Sequence, residues 1–194
     1  MKKKVIYVTG FKLWDMKKVG RLESYLFKLY LKERFEVIAF DYANGLNDSL
    51  EKYAVELKKF IDNLNLKKGE KVNLIGHSAG GLIGEYYVRF LDDNKVDKLV
   101  TISSPFQGAP LARWFFTWRK GIKDIQKGSK FLKKISKNKK KLNEINFYCT
   151  WDILVPGSSG KGSNPSRTYF FIHFINYLWP PIVWRVKRFF ESNL

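Results

Sequence analysis

Short apolar runs alternate with stretches of helical periodicity along the 194 residues of this chain. Runs that are short, apolar and bounded by turn or polar residues predict buried strands. The six predicted strands cover residues 4–9, 35–42, 72–75, 99–103, 145–151 and 168–172. Apolar residues three and four positions apart predict helices over 22–30, 50–64 and 82–91, and a closing helix from Pro181. Strands that alternate with helices are typical of an α/β fold, so we expect a mainly parallel sheet of about six strands with helices on both faces.

The start of the second helix is predicted from a local motif. Asp48, followed three positions later by Glu51, matches a capping box. In that motif the two side chains bond to backbone N–H groups at the helix N-terminus. We therefore expect Asp48 to be the N-cap.

One stretch breaks the alternation, because no strand is predicted between residues 114 and 142. From Arg119 to Lys141 it carries eleven Lys or Arg residues and one acidic residue, Asp124. Apolar residues at partly helical spacing run through it, namely Ile122, Ile125, Phe131, Leu132 and Ile135. We interpret 114–142 as a basic, lid-like helical insertion in a single domain that spans residues 1–194.

Composition narrows the classes of protein that this chain can represent. Its length allows one domain with a sizeable core and is too short for two ordinary domains. The hydrophobic content of 45% excludes a wholly disordered chain. A single Cys excludes an internal disulfide, and with only two His it also excludes a Cys/His zinc site.

The most apolar segments are too short or too interrupted for an export signal or a membrane span. Three lysines at positions 2–4 are followed by only four apolar residues, far fewer than an export signal contains. The window 169–184 is interrupted by His173, Asn176 and the pair Pro180–Pro181, whereas a spanning helix needs about 20 apolar residues. We therefore expect a cytoplasmic protein.

The clearest chemical motif is Gly76–Gly81, whose sequence GHSAGG matches the pattern G-x-S-x-G. It stands between a predicted strand and a predicted helix, as in a nucleophile elbow, where a tight turn lifts the serine hydroxyl above the sheet. Glycine is needed on both sides of the serine because strand and helix come together there. The pattern predicts Ser78 as a nucleophile; the alternative is a Gly-rich turn that contains serine by coincidence.

A serine hydroxyl needs a base that accepts its proton, and the chain has two histidines. His77 directly precedes the nucleophile, where strand geometry turns its side chain away. His173 follows the last predicted strand, so a loop can bring it over Ser78, and we predict that it is the base. Without the elbow, a histidine within an aromatic run would be interpreted as a core residue.

The base in turn needs an acid that orients it and stabilises its charged form. In enzymes built on this elbow the chain order is Ser, acid, His, so the acid lies between residues 78 and 173. Six carboxylates in this range lie on or just after the elbow helix, before a strand or inside the insertion: Glu85, Asp92, Asp93, Asp97, Asp124 and Glu144. Asp152 directly follows a predicted strand, at the sheet edge that also holds Ser78. We predict that it is the acid; the alternative is an ordinary strand-end aspartate.

An oxyanion hole needs two backbone N–H groups, one from the residue after the nucleophile and one from the loop after an early strand. Ala79 provides the first. The segment Thr9–Phe11 ends the first predicted strand, and Gly10 permits a close approach that would bring the Phe11 amide to the site. The alternative for this segment is a simple strand-ending turn.

These segments together resemble the small lipases and esterases of the α/β-hydrolase superfamily, and most of all the minimal bacterial lipases. The resemblance is carried by the elbow, by residues 101–109 (TISSPFQGA), by 152–156 (DILVP) and by the terminal segment 169–190. It implies the α/β-hydrolase fold. It also implies a nucleophile, an acid, a base and two oxyanion donors, namely Ser78, Asp152, His173, Phe11 and Ala79.

The chain departs from the lipase pattern at two positions. Thr9 stands where a histidine usually precedes the oxyanion glycine, which bears on the assignment of Phe11. Ile172 stands where a glycine often precedes the catalytic histidine, which bears on the loop geometry around His173.

The predicted activity is hydrolysis of carboxylic esters with an acyl or lipid-like substrate. It proceeds through an acyl-enzyme intermediate and requires no metal or organic cofactor. The same triad would serve a thioesterase, an amidase or an acyltransferase, and the sequence does not separate them. A different class also fits the charge, namely a non-catalytic protein that binds membrane or nucleic acid through its basic surface.

The net charge of +18 is concentrated in the insertion and has three interpretations. A solvated face is the simplest. Trp114, Phe115, Phe116 and Trp118 adjoin the lysines, which favours peripheral contact with an anionic membrane. Nucleic-acid binding is disfavoured because no aromatic–basic strand motif accompanies the charge.

Overall fold

The computed structural model describes residues 2–10, 17–42, 45–92, 94–114, 117–138, 140–149, 152, 154–168 and 180–192. Its strands are β1 (Lys3–Val8), β2 (Phe35–Phe40), β3 (Val72–His77), β4 (Val96–Ile102), β5 (Glu144–Cys149) and β6 (Pro165–Thr168). Its α-helices are α1 (Lys17–Leu31), α2 (Leu50–Asp62), α3 (Ala79–Phe90), α4 (Lys120–Asp124), α5 (Lys130–Lys137) and α6 (Pro180–Glu191), and Pro110–Arg113 form a 3₁₀ turn.

The strands form one sheet in the order β2-β1-β3-β4-β5-β6, and every neighbouring pair is parallel. Five strands of six or seven residues make up its body, and β6, with four residues, pairs at the edge. The predicted α/β fold with a parallel sheet is confirmed. The last predicted strand, 168–172, shares only Thr168 with β6, and its other residues lie outside the described ranges.

Side chains of the central strands alternate between two apolar clusters, one on each face of the sheet. In β1, Ile6 and Val8 pack with α2 and α3, whereas Val5 and Tyr7 pack with α1 and α6. This alternation follows from the two-residue period of a strand, and it buries apolar side chains on both faces. The predicted helical cover on both faces is therefore confirmed.

The prediction that Asp48 caps α2 is wrong by one residue. The N-cap is Ser49, whose Oγ accepts a hydrogen bond of 3.3 Å from the Lys52 N–H. The Asp48 carboxylate instead pairs with the Lys52 ammonium at 2.6 Å. A second acceptor comes from α4, because Asp124 Oδ2 accepts from the Leu50 N–H at 2.8 Å.

The helices α4 and α5 account for the predicted helical content of 114–142, and they pack on α2 and α3. Their apolar residues are buried to between 3% and 7% exposure: Ile122, Ile125, Phe131, Leu132 and Ile135. At the rim of this contact, Lys134 Nζ lies 2.9 Å from Glu51 Oε1 and donates to the Tyr86 hydroxyl at 2.7 Å. Within the described ranges, none of the helices has the length and apolar character that crossing a bilayer requires.

Candidate active site

Ser78 occupies the turn between β3 and α3 in a conformation that few residues with a side chain adopt. Its backbone has φ 52° and ψ −123°, and α3 begins at the next residue. The turn is held by hydrogen bonds from the Ser78 N–H to the Ile102 carbonyl at 2.8 Å and from the Gly81 N–H to the Ser78 carbonyl at 3.1 Å. Backbone strain of this kind costs about 1–3 kcal/mol and is concentrated at functional sites.

The glycines on both sides of Ser78 are required by the close approach of strand and helix. A Cβ on Gly76 would lie 2.4 Å from the Gly81 Cα, inside the first turn of α3. A Cβ on Gly80 would lie 2.2 Å from the Val8 carbonyl oxygen at the end of β1. Both distances are far below van der Waals contact, so only glycine fits at either position.

The chain after β1 passes directly beside the elbow. A Cβ on Gly10 would lie 3.1 Å from the Ser78 Cβ and 3.1 Å from the His77 carbonyl oxygen. β1 and β3 are neighbours from which the chain winds in opposite directions, toward β2 and toward β4. The crevice at the carboxyl ends of two such strands is the usual ligand position in open α/β sheets.

Asp152 lies at the same edge of the sheet, in the loop that follows β5. It is 3% exposed, and its Oδ1 accepts hydrogen bonds of 2.9 Å from the N–H groups of Leu154 and Val155. β5 is separated from β3 by one strand. The two backbone bonds orient the buried carboxylate in a loop two strands from Ser78.

Two of the predicted site residues, His173 and Phe11, lie outside the described residues. β6 ends at Thr168, at the edge that holds Ser78 and Asp152 and five positions before His173 in the sequence. On the far side of that segment, α6 is anchored by Lys98, whose Nζ donates to the Phe189 carbonyl at 2.7 Å.

The described residues include two further candidates from the sequence analysis, namely the oxyanion donor Ala79 and the second histidine, His77. Ala79 is the first residue of α3 and is 1% exposed, so its N–H belongs to the helix terminus beside Ser78. His77 is 2% exposed and lies two positions after Ile75, which packs in the cluster formed with α1 and α6. Strand alternation therefore places His77 on the face of the sheet opposite α3.

The sequence analysis did not predict a buried polar cluster on the helix that follows Ser78. Glu85 and Glu144 entered it only as rejected acids, yet the structure brings both to the buried guanidinium of Arg89. The four-residue spacing of Glu85 and Arg89 on a helix was the available signal. Among the described residues, no group of three or more His, Cys, Asp or Glu side chains is placed to hold a metal ion.

Solved structures with a similar fold include several lipases. It is similar to Aspergillus fumigatus lipase B, with a TM-score of 0.72 and 17% identity over 94% of this chain and 50% of that one. The chain thus spans about half the length of that lipase. It is also similar to a Paleococcus ferrophilus monoacylglycerol lipase, with a TM-score of 0.64 and 20% identity over 95% and 91% of the two chains. For a Bacillus licheniformis lipase in its mature form, the TM-score is 0.67 and the identity 14% over 96% and 92%.

At these identities the structural matches establish the α/β-hydrolase fold, and they confirm the resemblance to small lipases and esterases at that level. The sequence matches none of the curated proteins. It does match the family model for lecithin:cholesterol acyltransferase over residues 27–148, which is more than half of its length and includes the elbow. The chain belongs to the lecithin:cholesterol acyltransferase family.

Proposed function

We propose that this protein is a serine hydrolase that cleaves carboxylic esters with Ser78 as nucleophile, His173 as base and Asp152 as acid. The observation that carries the proposal is the strained backbone of Ser78 in the turn between β3 and α3, beside the end of β1. A strained serine at the start of a buried helix has its hydroxyl beside the N–H groups of that helix, where negative charge is stabilised. Strain of this cost is retained where chemistry uses it.

The reaction follows from the roles of these groups. Ser78 Oγ attacks the ester carbonyl carbon while His173 takes its proton, and the N–H groups of Ala79 and Phe11 bind the oxyanion. The C–O bond to the alcohol then breaks, and His173 returns the proton to the leaving alcohol. A water molecule, deprotonated by His173, attacks the acyl-enzyme and releases the acid and free Ser78.

A lipid-like acyl substrate is supported by the structural similarity, since three of the matched structures are named as lipases. The description of the matched family, an acyltransferase, favours a second candidate reaction. In that reaction an alcohol replaces water as the acceptor of the acyl group, with the same three residues. Product analysis with an added long-chain alcohol separates the two, because hydrolysis gives free acid and transfer gives a new ester.

Asp152→Asn tests the function and the acid together in an assay with p-nitrophenyl esters of graded acyl length. The wild type is expected to turn over at least part of the series, and the variant to lose about 10⁴-fold in kcat because the imidazole loses its orienting charge. Asparagine keeps an Oδ1 that accepts from Leu154 and Val155, so the loop and the melting temperature are expected to stay unchanged. No turnover of any ester by the wild type would contradict the function, and full turnover by the variant would contradict the acid.

We further propose that the protein contacts anionic membranes through a surface that we call the tryptophan surface, formed by Trp114 and Trp118. These side chains are 69% and 71% exposed, an unusual state for residues of this size. In the sequence, Trp118 stands two positions before Lys120, the first residue of the basic helix α4. Exposed tryptophan beside clustered positive charge fits the headgroup region of an anionic bilayer.

The double variant Trp114→Ala/Trp118→Ala is expected to bind anionic vesicles at least about 100-fold more weakly, because burial of each indole contributes about 1.5–3 kcal/mol and a tenfold change in affinity corresponds to about 1.4 kcal/mol. The measurement is co-sedimentation with phosphatidylserine-containing and pure phosphatidylcholine vesicles. Trp184→Ala is the matched control, since Trp184 is 57% exposed on α6, on the opposite side of the sheet. Equal binding to both vesicle types, or equal losses in the two variants, would rule out the tryptophan surface.

A further inference from the structure

A carboxylate pair is buried beside a single arginine between α3 and the start of β5. Glu85 and Arg89 lie one turn apart on α3, and Glu144 is the first residue of β5. Glu85 is 1% exposed, Glu144 is 3% exposed, and the Arg89 side chain is 5% exposed. We call these three residues the Glu-Arg-Glu cluster.

The Arg89 guanidinium pairs with both carboxylates, but it lies closer to Glu85 than to Glu144. Arg89 Nε donates to Glu85 Oε1 at 2.7 Å, and its Nη2 lies 2.5 Å from the same oxygen. The distance from Nη2 to Glu144 Oε1 is 3.7 Å. Glu85 Oε2 is fully buried and has no hydrogen-bond donor among the described residues. The Glu85 carboxyl also contacts the carboxyl of Glu144. Two buried carboxylates with one cation retain a proton, since the second negative charge would be uncompensated.

The other charged groups near the cluster do not supply the missing compensation. The Glu-Arg-Glu cluster lines a cavity of about 610 Å³. Lys140, Lys141 and Lys161 line the same cavity, and all three are exposed to solvent. Lys140 Nζ donates to the Val88 carbonyl at 2.6 Å, and Lys161 Nζ lies 5.7 Å from the centre of the Tyr148 ring. Burial, together with the Glu144 carboxylate, raises the pKa of Glu85 to about 8, and Arg89 offsets only part of this rise.

The cluster also holds the segment Ser163–Asn164 in place. The Ser163 hydroxyl donates to Glu144 Oε1, and Arg89 Nη2 donates to Ser163 Oγ at 3.3 Å. Asn164 Nδ2 donates to the Glu144 carbonyl at 2.6 Å. Ser163 and Asn164 end the loop that begins after Asp152. This loop is fixed at the Asp152 end by the bonds to that carboxylate, and at the other end by the cluster together with Asn146, whose Oδ1 accepts from the Asn164 N–H at 2.8 Å.

We propose that Glu85 and Glu144 share one proton, and that this proton holds the loop 154–164 against α3 and thereby positions Asp152. When the proton leaves at alkaline pH, two buried carboxylates repel each other across the contact between α3 and β5. Glu144 then turns toward the cavity, and its bond to Ser163 breaks. The consequence for ester turnover rests on the proposed function, whereas the consequence for the loop does not.

The test compares the wild type with Glu85→Gln between pH 5 and pH 9.5, because glutamine keeps the size and neutrality of the protonated side chain. The folded wild type keeps a proton that the unfolded chain releases near pH 4.5, so its stability falls as pH rises to about 8 and levels off above that. Glutamine carries no such proton. The melting temperature of the variant minus that of the wild type is therefore expected to rise by about 7–14 °C from pH 5 to pH 8.

A difference in melting temperature that is the same at every pH does not bear on the inference, because the inference depends on how this difference changes with pH. Glu144→Gln is the second variant and should show the same slope. Glu51→Gln is the matched control, since Glu51 is 46% exposed and pairs with Lys134 outside the cluster. If the curves of melting temperature against pH for both cluster variants stayed parallel to that of the wild type, the shared proton would be overturned.

Hydrogen exchange of residues 154–164 reports the loop itself. Above pH 8 these amides are expected to exchange at least about tenfold faster in the wild type than in Glu85→Gln, after correction for the intrinsic rate. Equal exchange in the two proteins would overturn the holding of the loop. Neither readout needs turnover, so a failure to cleave esters would count against the proposed function and leave this inference standing.

Discussion

Ser78→Ala is expected to lower kcat for ester hydrolysis by about 10⁶-fold, the loss that follows removal of a serine nucleophile from a working triad. The substitution removes only Oγ. Alanine carries the same Cβ as serine, so the backbone at φ 52° keeps the same strain and the elbow its shape. The free energy of unfolding should therefore change by less than about 1 kcal/mol, and the loss of activity belongs to the chemistry.

The measurement is turnover of the best p-nitrophenyl ester, combined with covalent labelling by a fluorophosphonate. Wild type is expected to carry the label on Ser78, and Ser78→Ala to carry none. Ser136→Ala is the matched control, because Ser136 is exposed on α5 and its hydroxyl donates only within that helix, to the Lys133 carbonyl at 3.0 Å. If Ser78→Ala kept more than a tenth of the wild-type turnover, another group would be the nucleophile.

The elbow could be predicted from the sequence because its determinants are local. A strand, a serine between two glycines and a helix all lie within Val72–Phe90, and the steric need for Gly76 and Gly80 acts within that span or against β1. The parallel sheet could be predicted for a similar reason, because each strand has its own apolar pattern in the sequence. His173 and Phe11 stay predictions, because they lie outside the described residues.

Features that depend on distant parts of the chain escaped the sequence reasoning. The N-terminus of α2 uses Ser49 and receives a second acceptor from Asp124, 74 positions after the Leu50 amide that it binds. A local capping motif does not contain that partner. The Glu-Arg-Glu cluster likewise joins α3 to β5, and each of its carboxylates read alone is an ordinary charged residue. Tertiary contacts decide such pairs, and in the sequence only the four-residue spacing of Glu85 and Arg89 indicated a part of the cluster.

Gly80→Ala is expected to remove the folded state, or to destabilise it by more than about 4 kcal/mol, which is the range of backbone clashes in a packed core. The added Cβ would lie 2.2 Å from the Val8 carbonyl oxygen and 2.4 Å from that of Thr9. Both obstacles are backbone atoms at the end of a central strand, so neither can move aside without breaking the pairing of β1. The loss should appear as unfolding at a much lower urea concentration.

Gly84→Ala is the matched control, one turn further along the same helix. There the Cβ would meet only side-chain atoms, Leu99 Cδ1 at 3.3 Å and Leu74 Cδ1 at 3.9 Å. Alanine is favoured over glycine inside a helix by about 1 kcal/mol, which offsets a small shift of Leu99, so stability should stay within about 1 kcal/mol of the wild type. Equal urea midpoints for Gly80→Ala and Gly84→Ala would contradict the close approach of α3 to β1. Because that approach sets the position of Ser78, the same result would also remove the geometric basis of the nucleophile assignment.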